Sequence, residues 1–303
     1  MKVYLNNPQE SWVVDRFRKE WYENNPNIST ENPLEADIIW IIAPWQWMRI
    51  PLEILRSKKV LCTIHHIVPE KFDSFKLNEF LHRDALVDMY HVPSEKTKDQ
   101  IKNITNKPIF TQPFWVNQNL WKNLNNKLKI REKLNIKKDV YLIGSFQRDT
   151  EGSDLKSPKL EKGPDQFCDA VYQISKTKKV EVLLAGWRRQ YVMNRLEDVG
   201  IKYHYYELPS FEDLNKLYNS LDLYIVASRH EGGPQAIFEC ATIEVPILST
   251  DVGAAGLILS EKSIFKPGNI DSGATDTKVA LENVKKIHIP QGFSEFVTVL
   301  SKM

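Results

Sequence analysis

Residues Ala227 to Gly253 read ASRHEGGPQAIFECATIEVPILSTDVG, and the fold follows from how this stretch is punctuated. An apolar, β-type run, Leu223–Ala227, leads into it, and a second, Val245–Thr250, closes it. Between them come a glycine-rich turn and a helix-like segment starting near Pro234. Strand, turn, helix, strand is one βαβ unit. Gly232 and Gly233 let the backbone pass close to a ligand without side-chain clashes. Pro234 suits the first helical position, where an amide hydrogen has no partner in any case. The helix start then aims N–H groups and partial positive charge at whatever lies before it, a site for anionic or hydroxyl-rich groups. Glu231 stands at its mouth. Glu239 follows on the helix, roughly 8 Å along its axis from Pro234. Carboxylates so spaced can hold two parts of one long ligand by its hydroxyls. The plainer expectation is that Gln235, Glu239 and Thr242, which share a helix face, are solvated.

Outward from this unit, strand and helix patterns alternate in both directions. Upstream, strands are expected at Lys2–Leu5, Asp37–Ile42, Lys59–Ile64, Met89–Pro93 and Ile109–Pro113, with helices between them. Ser94 is a good N-cap for a helix over Glu95–Asn103. Gln9 to Glu23 carries Trp12, Val13, Phe17 and Trp21 at helical spacing. The rhythm breaks over Trp115–Lys138, which is rich in Asn and Lys and reads as a linker plus a polar helix. A second series follows, with strands at Val140–Phe146, Lys179–Gly186 and Lys202–Leu208 leading into the βαβ unit. Continuous apolar strands separated by helices predict parallel sheets covered on both faces. The chain is therefore expected to form two doubly wound, Rossmann-like α/β domains, 1–114 and 115–289, with 290–303 packing back on the first. Such a pair places a ligand cleft between the domains, at the carboxyl ends of the strands.

A chain of 303 residues is long enough for two such domains. Its 42% hydrophobic and 26% charged content is that of a soluble globular protein. A net charge of +2 is too small to argue for nucleic acid as a partner, and none is expected. The opening MKVYLNNPQE lacks a secretory apolar core, and no apolar run reaches the ~20 residues of a membrane span. Cys62, Cys168 and Cys240 stand far apart in apolar patterns, as buried thiols of a reducing, cytoplasmic compartment do. No Cys/His cluster has zinc spacing.

The focal stretch resembles the signature of the retaining, group 1 glycosyltransferases of family 4, which have the GT-B fold. The match runs through Ser228, Glu231, Gly232, Pro234, Glu239, Pro246 and Thr250. The resemblance implies that Glu231 contacts a donor sugar and Glu239 the ribose of its nucleotide. It departs at Glu244, where the family has Gly; Gly fits a left-handed helix cap, and Glu is expected to force another closure. The loop after Val140–Phe146 supplies Arg148 and then Glu161-Lys162-Gly163, which resemble the family's upstream basic partner and phosphate-binding segment. As a nucleotide-diphosphate sugar departs, charge grows on its phosphates, and preorganised cations there lower the barrier. Arg148 offers a planar fork and Lys162 a mobile point charge. No two aspartates stand two apart, so a metal-free site is the consistent picture.

In the first half, Leu61–His66 ends a buried strand. His65 matches by position a family histidine that contacts the donor sugar, and neighbouring His66 is expected to point the other way. Tyr206 and Leu208, near the loop after Lys202–Leu208, are candidates for holding the donor base. Trp45 and Trp47 follow strand Asp37–Ile42 outside core spacing, whereas Trp12, Trp21 and Trp40 fit it. With His66, the two are expected on the acceptor side, since aromatic faces suit sugar rings; the alternative is that they fill a small core. The family's glycine-rich loop after the first strand is absent, replaced by Asn6–Gln9.

The expected activity is retaining transfer of a sugar from a nucleotide-diphosphate donor, in glycan or cell-envelope polysaccharide biosynthesis. The acceptor is a glycan, a lipid-linked sugar or a small molecule. The other readings are an epimerase-type enzyme of the same fold and a non-catalytic sugar-nucleotide-binding protein. Lysines 122, 127, 129, 133, 137 and 138 form either a basic face at the inner side of a membrane or a solvated linker.

Overall fold

The computed structural model describes residues 1–10 and 13–303, so Trp12 lies outside the described residues. Two compact units form, Met1–Trp115 with Ile289–Met303, and Val116–His288.

The first unit is a five-stranded parallel sheet: β1 (Val3–Leu5), β2 (Ile38–Ile41), β3 (Lys59–Thr63), β4 (Met89–Val92) and β5 (Ile109–Thr111). Their spatial order is β1-β2-β3-β4-β5, so the direction of winding never reverses. Alternate side chains feed two cores. Ile39, Ile41, Val60 and Cys62 pack with Ile54, Leu55, Phe80 and Ile101 of the intervening helices. Trp40 and Leu61 face the other way, onto Phe17 and Trp21 of helix Val13–Asn24 and onto Phe293 and Phe296 near the C-terminus. Trp40 stacks on Phe296 at 5.1 Å, and Trp115 packs edge-on to the same ring.

Trp47 departs from the acceptor-side expectation and takes the core-filling alternative. Trp47 is buried, 7% exposed, in the core beneath helix Leu52–Ser57. Pro44–Arg49 coils as a 3₁₀ helix. Its three-residue period stacks Pro44, Trp47 and Ile50 on one face and turns Trp45 and Met48 outward. At the end of β1, Asn6 does the work of a glycine-rich turn. Its buried amide donates to the Ala43 carbonyl and accepts from the Ala43 N–H, both at 3.0 Å, tying the ends of β1 and β2 together.

His91, on β4, is fully buried in a polar chain. Trp40 Nε1 donates to Thr63 Oγ1 (2.9 Å), which lies 3.0 Å from His91 Nδ1, and Nε2 lies 2.8 Å from the Gln112 carbonyl. A carbonyl only accepts, so the proton sits on Nε2 and the ring is neutral. Burial pushes its pKa down from 6.5 to about 3. The unfolded chain takes up a proton as pH falls through about 6.5, while the folded ring resists until about 3. Stability is therefore expected to decline across that window by about 1.4 kcal/mol per pH unit. Urea midpoints at pH 7 and pH 5 test this; a His91→Asn variant showing the same decline would assign it elsewhere.

The second unit contains β6 (Tyr141–Ser145), β7 (Val180–Ala185), β8 (Tyr203–Tyr206), β9 (Leu223–Val226) and β10 (Ile247–Ser249), all parallel. Their order is β10-β9-β6-β7-β8. The chain winds outward from β6, then returns to lay β9 on its other side. That reversal opens a crevice at the carboxyl ends of β6 and β9. The lysine-rich stretch is docked: helix Lys127–Lys133 buries Arg131, whose guanidinium reaches the Ser220 carbonyl (2.8 Å) and Asp222 (2.5 Å), and Lys127 meets the same carboxylate.

Helix Gln235–Thr242 ends in a Schellman motif. Val245 N–H bonds the Cys240 carbonyl (2.9 Å) and Glu244 N–H that of Ala241 (3.3 Å). Glu244 has φ +61°, so the left-handed cap is kept with a glutamate in it and no other closure is made. That conformation costs a non-glycine residue roughly 1–2 kcal/mol, partly offset for glycine by its freer unfolded chain. Glu244→Gly is expected to stabilise the protein by about 1 kcal/mol, read as a higher Tm; an unchanged or lower Tm would contradict this account of the cap.

Candidate active site

The crevice between β6 and β9 is lined by two loops. One follows β6 and ends in the 3₁₀ turn Leu160–Lys162 before helix Pro164–Ser175. The other is the focal turn after β9. They are fused by backbone contacts. Arg229 and His230 N–H groups donate to the Glu161 carbonyl (2.9 and 3.1 Å). Gly163 has φ +61°, and a Cβ there would lie 1.7 Å from the Ala227 oxygen, so only glycine fits. Gly253, after β10, seals the far side: its Cβ would lie 2.2 Å from the Gly232 oxygen. The left-handed backbone of this corner thus falls on Gly163 and Gly253, rather than on Gly232 and Gly233. Pro234 occupies the N-cap position, one residue before the first helical one, because its ψ of 109° is extended.

This scaffold brings Lys162 and Glu231 together. The Lys162 ammonium is ion-paired with the Glu231 carboxylate, their side chains 18% and 11% exposed. Ser228 Oγ donates to the same carboxylate (3.4 Å), and Thr250 Oγ1 fixes the Ser228 carbonyl (2.6 Å). Gln147 holds the Lys162 carbonyl (2.9 Å). Glu239 is 4% exposed, so its helix face is not solvated. The helix buries Ile237, Phe238, Cys240 and Ala241 as well, and Glu239 accepts a hydrogen bond from Tyr218 Oη (2.8 Å). Burial, then the neighbouring Glu239 charge, drives the Tyr218 pKa well up, which keeps that phenol a donor.

Residues 154–283 match the family model of group 1 glycosyl transferases. The second unit is a group 1 glycosyltransferase domain. Across the whole chain the fold is that of GT-B glycosyltransferases. Anabaena HepE in complex with UDP-glucose superposes with a TM-score of 0.78 at 14% identity, covering 100% of this chain and 99% of that one. Sucrose-phosphate synthase from Thermosynechococcus elongatus gives 0.69 at 15% identity, covering 95% and 76%. A glycosyltransferase from Rickettsia africae gives 0.64 at 16% identity, covering 98% and 83%. No curated protein matches the chain in sequence.

Lys162, Glu231 and Glu239 all lie within the matched part of the group 1 domain, whereas Arg148 precedes it. Arg148 Nε donates to the Thr150 carbonyl (2.9 Å), and its guanidinium lies 5.3 Å from the Trp187 ring. Burial, then nearby Arg188, lowers its pKa. Sequence reading missed what holds this loop. Asp149 and Arg189, 1% and 0% exposed, are joined at 2.5 Å, and Arg189 also reaches the Ser145 and Ala185 carbonyls at the ends of β6 and β7. Thr150 Oγ1 donates to Asp149 (2.7 Å) and accepts from Tyr191 N–H (2.8 Å). No motif flags this pair, because its logic lies in three separate segments. Tyr206 is half-buried against the core of the group 1 domain, and Leu208 is exposed at φ +46°. Among the described residues, no group of three or more His, Cys, Asp or Glu is placed to hold a metal ion. No described helix is long and apolar enough to cross a membrane.

In the first unit, His65, His66 and Trp45 line one cavity of about 340 Å³ at the end of β3; Trp47 is not among its walls. His65 Nε2 bonds the Ile42 carbonyl (2.9 Å), and its ring stacks on Phe114. The Trp45 ring lies 5.7 Å from it, and Trp45 Nε1 donates to Glu10 (2.8 Å).

Proposed function

We propose that this chain is a retaining glycosyltransferase that uses a nucleotide-diphosphate sugar. The observation that carries this reading is the Lys162–Glu231 pair at the crevice between β6 and β9, inside the group 1 domain. Donor binding exchanges this pair for ligand contacts. The diphosphate takes Lys162, the sugar hydroxyls take Glu231, and buried Glu239 holds the ribose. Arg148 adds charge at the same loop. The acceptor hydroxyl attacks the anomeric carbon on the face from which the diphosphate leaves. The sugar–oxygen bond to the β-phosphate breaks, and that oxygen takes the acceptor proton. The protein contributes positioning and charge stabilisation, with Lys162 and Arg148 in place of a metal ion. The acceptor sits on the first unit, near His66 and Trp45. Three free, buried cysteines fit a reducing compartment.

The complex of Anabaena HepE with UDP-glucose makes uridine diphosphate the first ligand to test. UDP and UDP-glucose are expected to raise the melting temperature by mass action, and slow donor hydrolysis is expected to persist in excess chelator. Lack of a shift with any nucleoside diphosphate or its sugar would remove the donor assignment; hydrolysis abolished by chelator would remove the metal-free mechanism.

A further inference from the structure

The cavity beside β3 carries a feature that the transfer chemistry above does not use. Arg83, on helix Ser74–Asp84, lines it and is only 7% exposed. Its Nε has no hydrogen-bond partner, and it makes no ion pair among the described residues. Its guanidinium lies 5.3 Å from the Phe80 ring and close to the buried Cys62 thiol, and the nearby Asp84 carboxylate is engaged by Thr105 Oγ1 (2.6 Å) rather than paired with it. The one carboxylate on the cavity wall, Glu79, is engaged by Lys76 at 2.8 Å. Lys71 and Lys76 line the cavity as well. The remaining surface is largely apolar and aromatic, with Trp45, Phe72 and Phe80 among its walls.

A buried guanidinium without a carboxylate partner is costly unless a ligand supplies the negative charge. Its planar fork suits an oxyanion bound through two N–H groups. We propose that this cavity binds the acceptor of the transfer reaction through an anionic group, carboxylate or phosphate, which Arg83 neutralises while the body of the acceptor lies on the aromatic walls. This rests on the glycosyltransferase reading above and adds the acceptor's chemical class.

The test is titration of the full chain with three probes built on one frame: phenyl glucoside 6-phosphate, phenyl glucuronide and neutral phenyl glucoside. At least one anionic probe is expected to bind more than tenfold tighter than the glucoside. Phosphate alone then assigns a phosphate-bearing acceptor, and glucuronide alone a carboxylate-bearing one. Arg83→Met is expected to abolish the preference while leaving the UDP-induced thermal shift intact. Phe72→Ala, on the partly exposed wall, is expected to weaken all three probes and keep the anion preference. Equal affinity for all three probes, an undiminished preference in folded Arg83→Met, or unchanged anion binding in Phe72→Ala would overturn the assignment. Loss of the UDP response in the wild-type chain would instead count against the donor reading, so the two failures are separable.

Discussion

Lys162→Met is expected to lower kcat/KM for the nucleotide-sugar donor by about 10²–10³ while the chain stays folded. Methionine keeps most of the stem and removes the charge. In the resting structure that charge faces Glu231. In the proposed reaction it would face a phosphate on which negative charge is growing, so the variant is expected to lose more at the transition state than at the ground state. The loss should therefore appear mainly in kcat, with a smaller rise in KM. Lys162→Arg is expected to recover only part of it, because the broad guanidinium does not substitute for a compact ammonium in a narrow turn. Nucleotide release measured with saturating donor reads both variants. Turnover within threefold of wild type in Lys162→Met would show that the phosphates lie elsewhere.

The largest expected effect on stability comes from Arg189→Met. Arg189 closes the loop after β6, bonding Asp149 and the carbonyls at the ends of two strands. Removing it strands the Asp149 carboxylate, 1% exposed, without its cation. Breaking a buried pair from one side costs about 3–5 kcal/mol, because the remaining charge is uncompensated. Chemical denaturation measures this directly. Adding Asp149→Asn to the same chain is expected to return a large part of the loss, since an amide needs no counter-ion and still accepts from Thr150. A double variant as unstable as the single one would mean that the carbonyl contacts, not the charges, hold the loop.

The strands were legible because their apolar runs are continuous, as in Ile38–Ile41 and Leu223–Val226, and the cap at Ser94 because its offset to the next turn is fixed. What escaped depends on segments distant in the chain. Trp47 reads as a loop residue until the 3₁₀ period of its turn is known. Glu239 sits on what looks like a polar helix face and is buried because Tyr218, on another helix, reaches over to it. Glu244 shows a different limit: the backbone kept the shape that glycine favours although the residue changed, since packing around Ile243 and Val245 outweighs one strained torsion. Arg83 gives no periodic or motif signal at all, and its importance appears only when it is seen to be buried without an ion pair.

The seam at Gly163 has one further meaning. With no room for a β-carbon between Gly163 and the Ala227 oxygen, and the Glu161 carbonyl held by two amides from the facing loop, the acid-bearing and base-bearing arms make a single stiff jaw. Its gape is set by main chain, beyond the reach of ordinary side-chain drift. A change of sugar preference in a descendant of this chain would then have to come from what is hung inside the jaw, and hardly ever from how wide it opens.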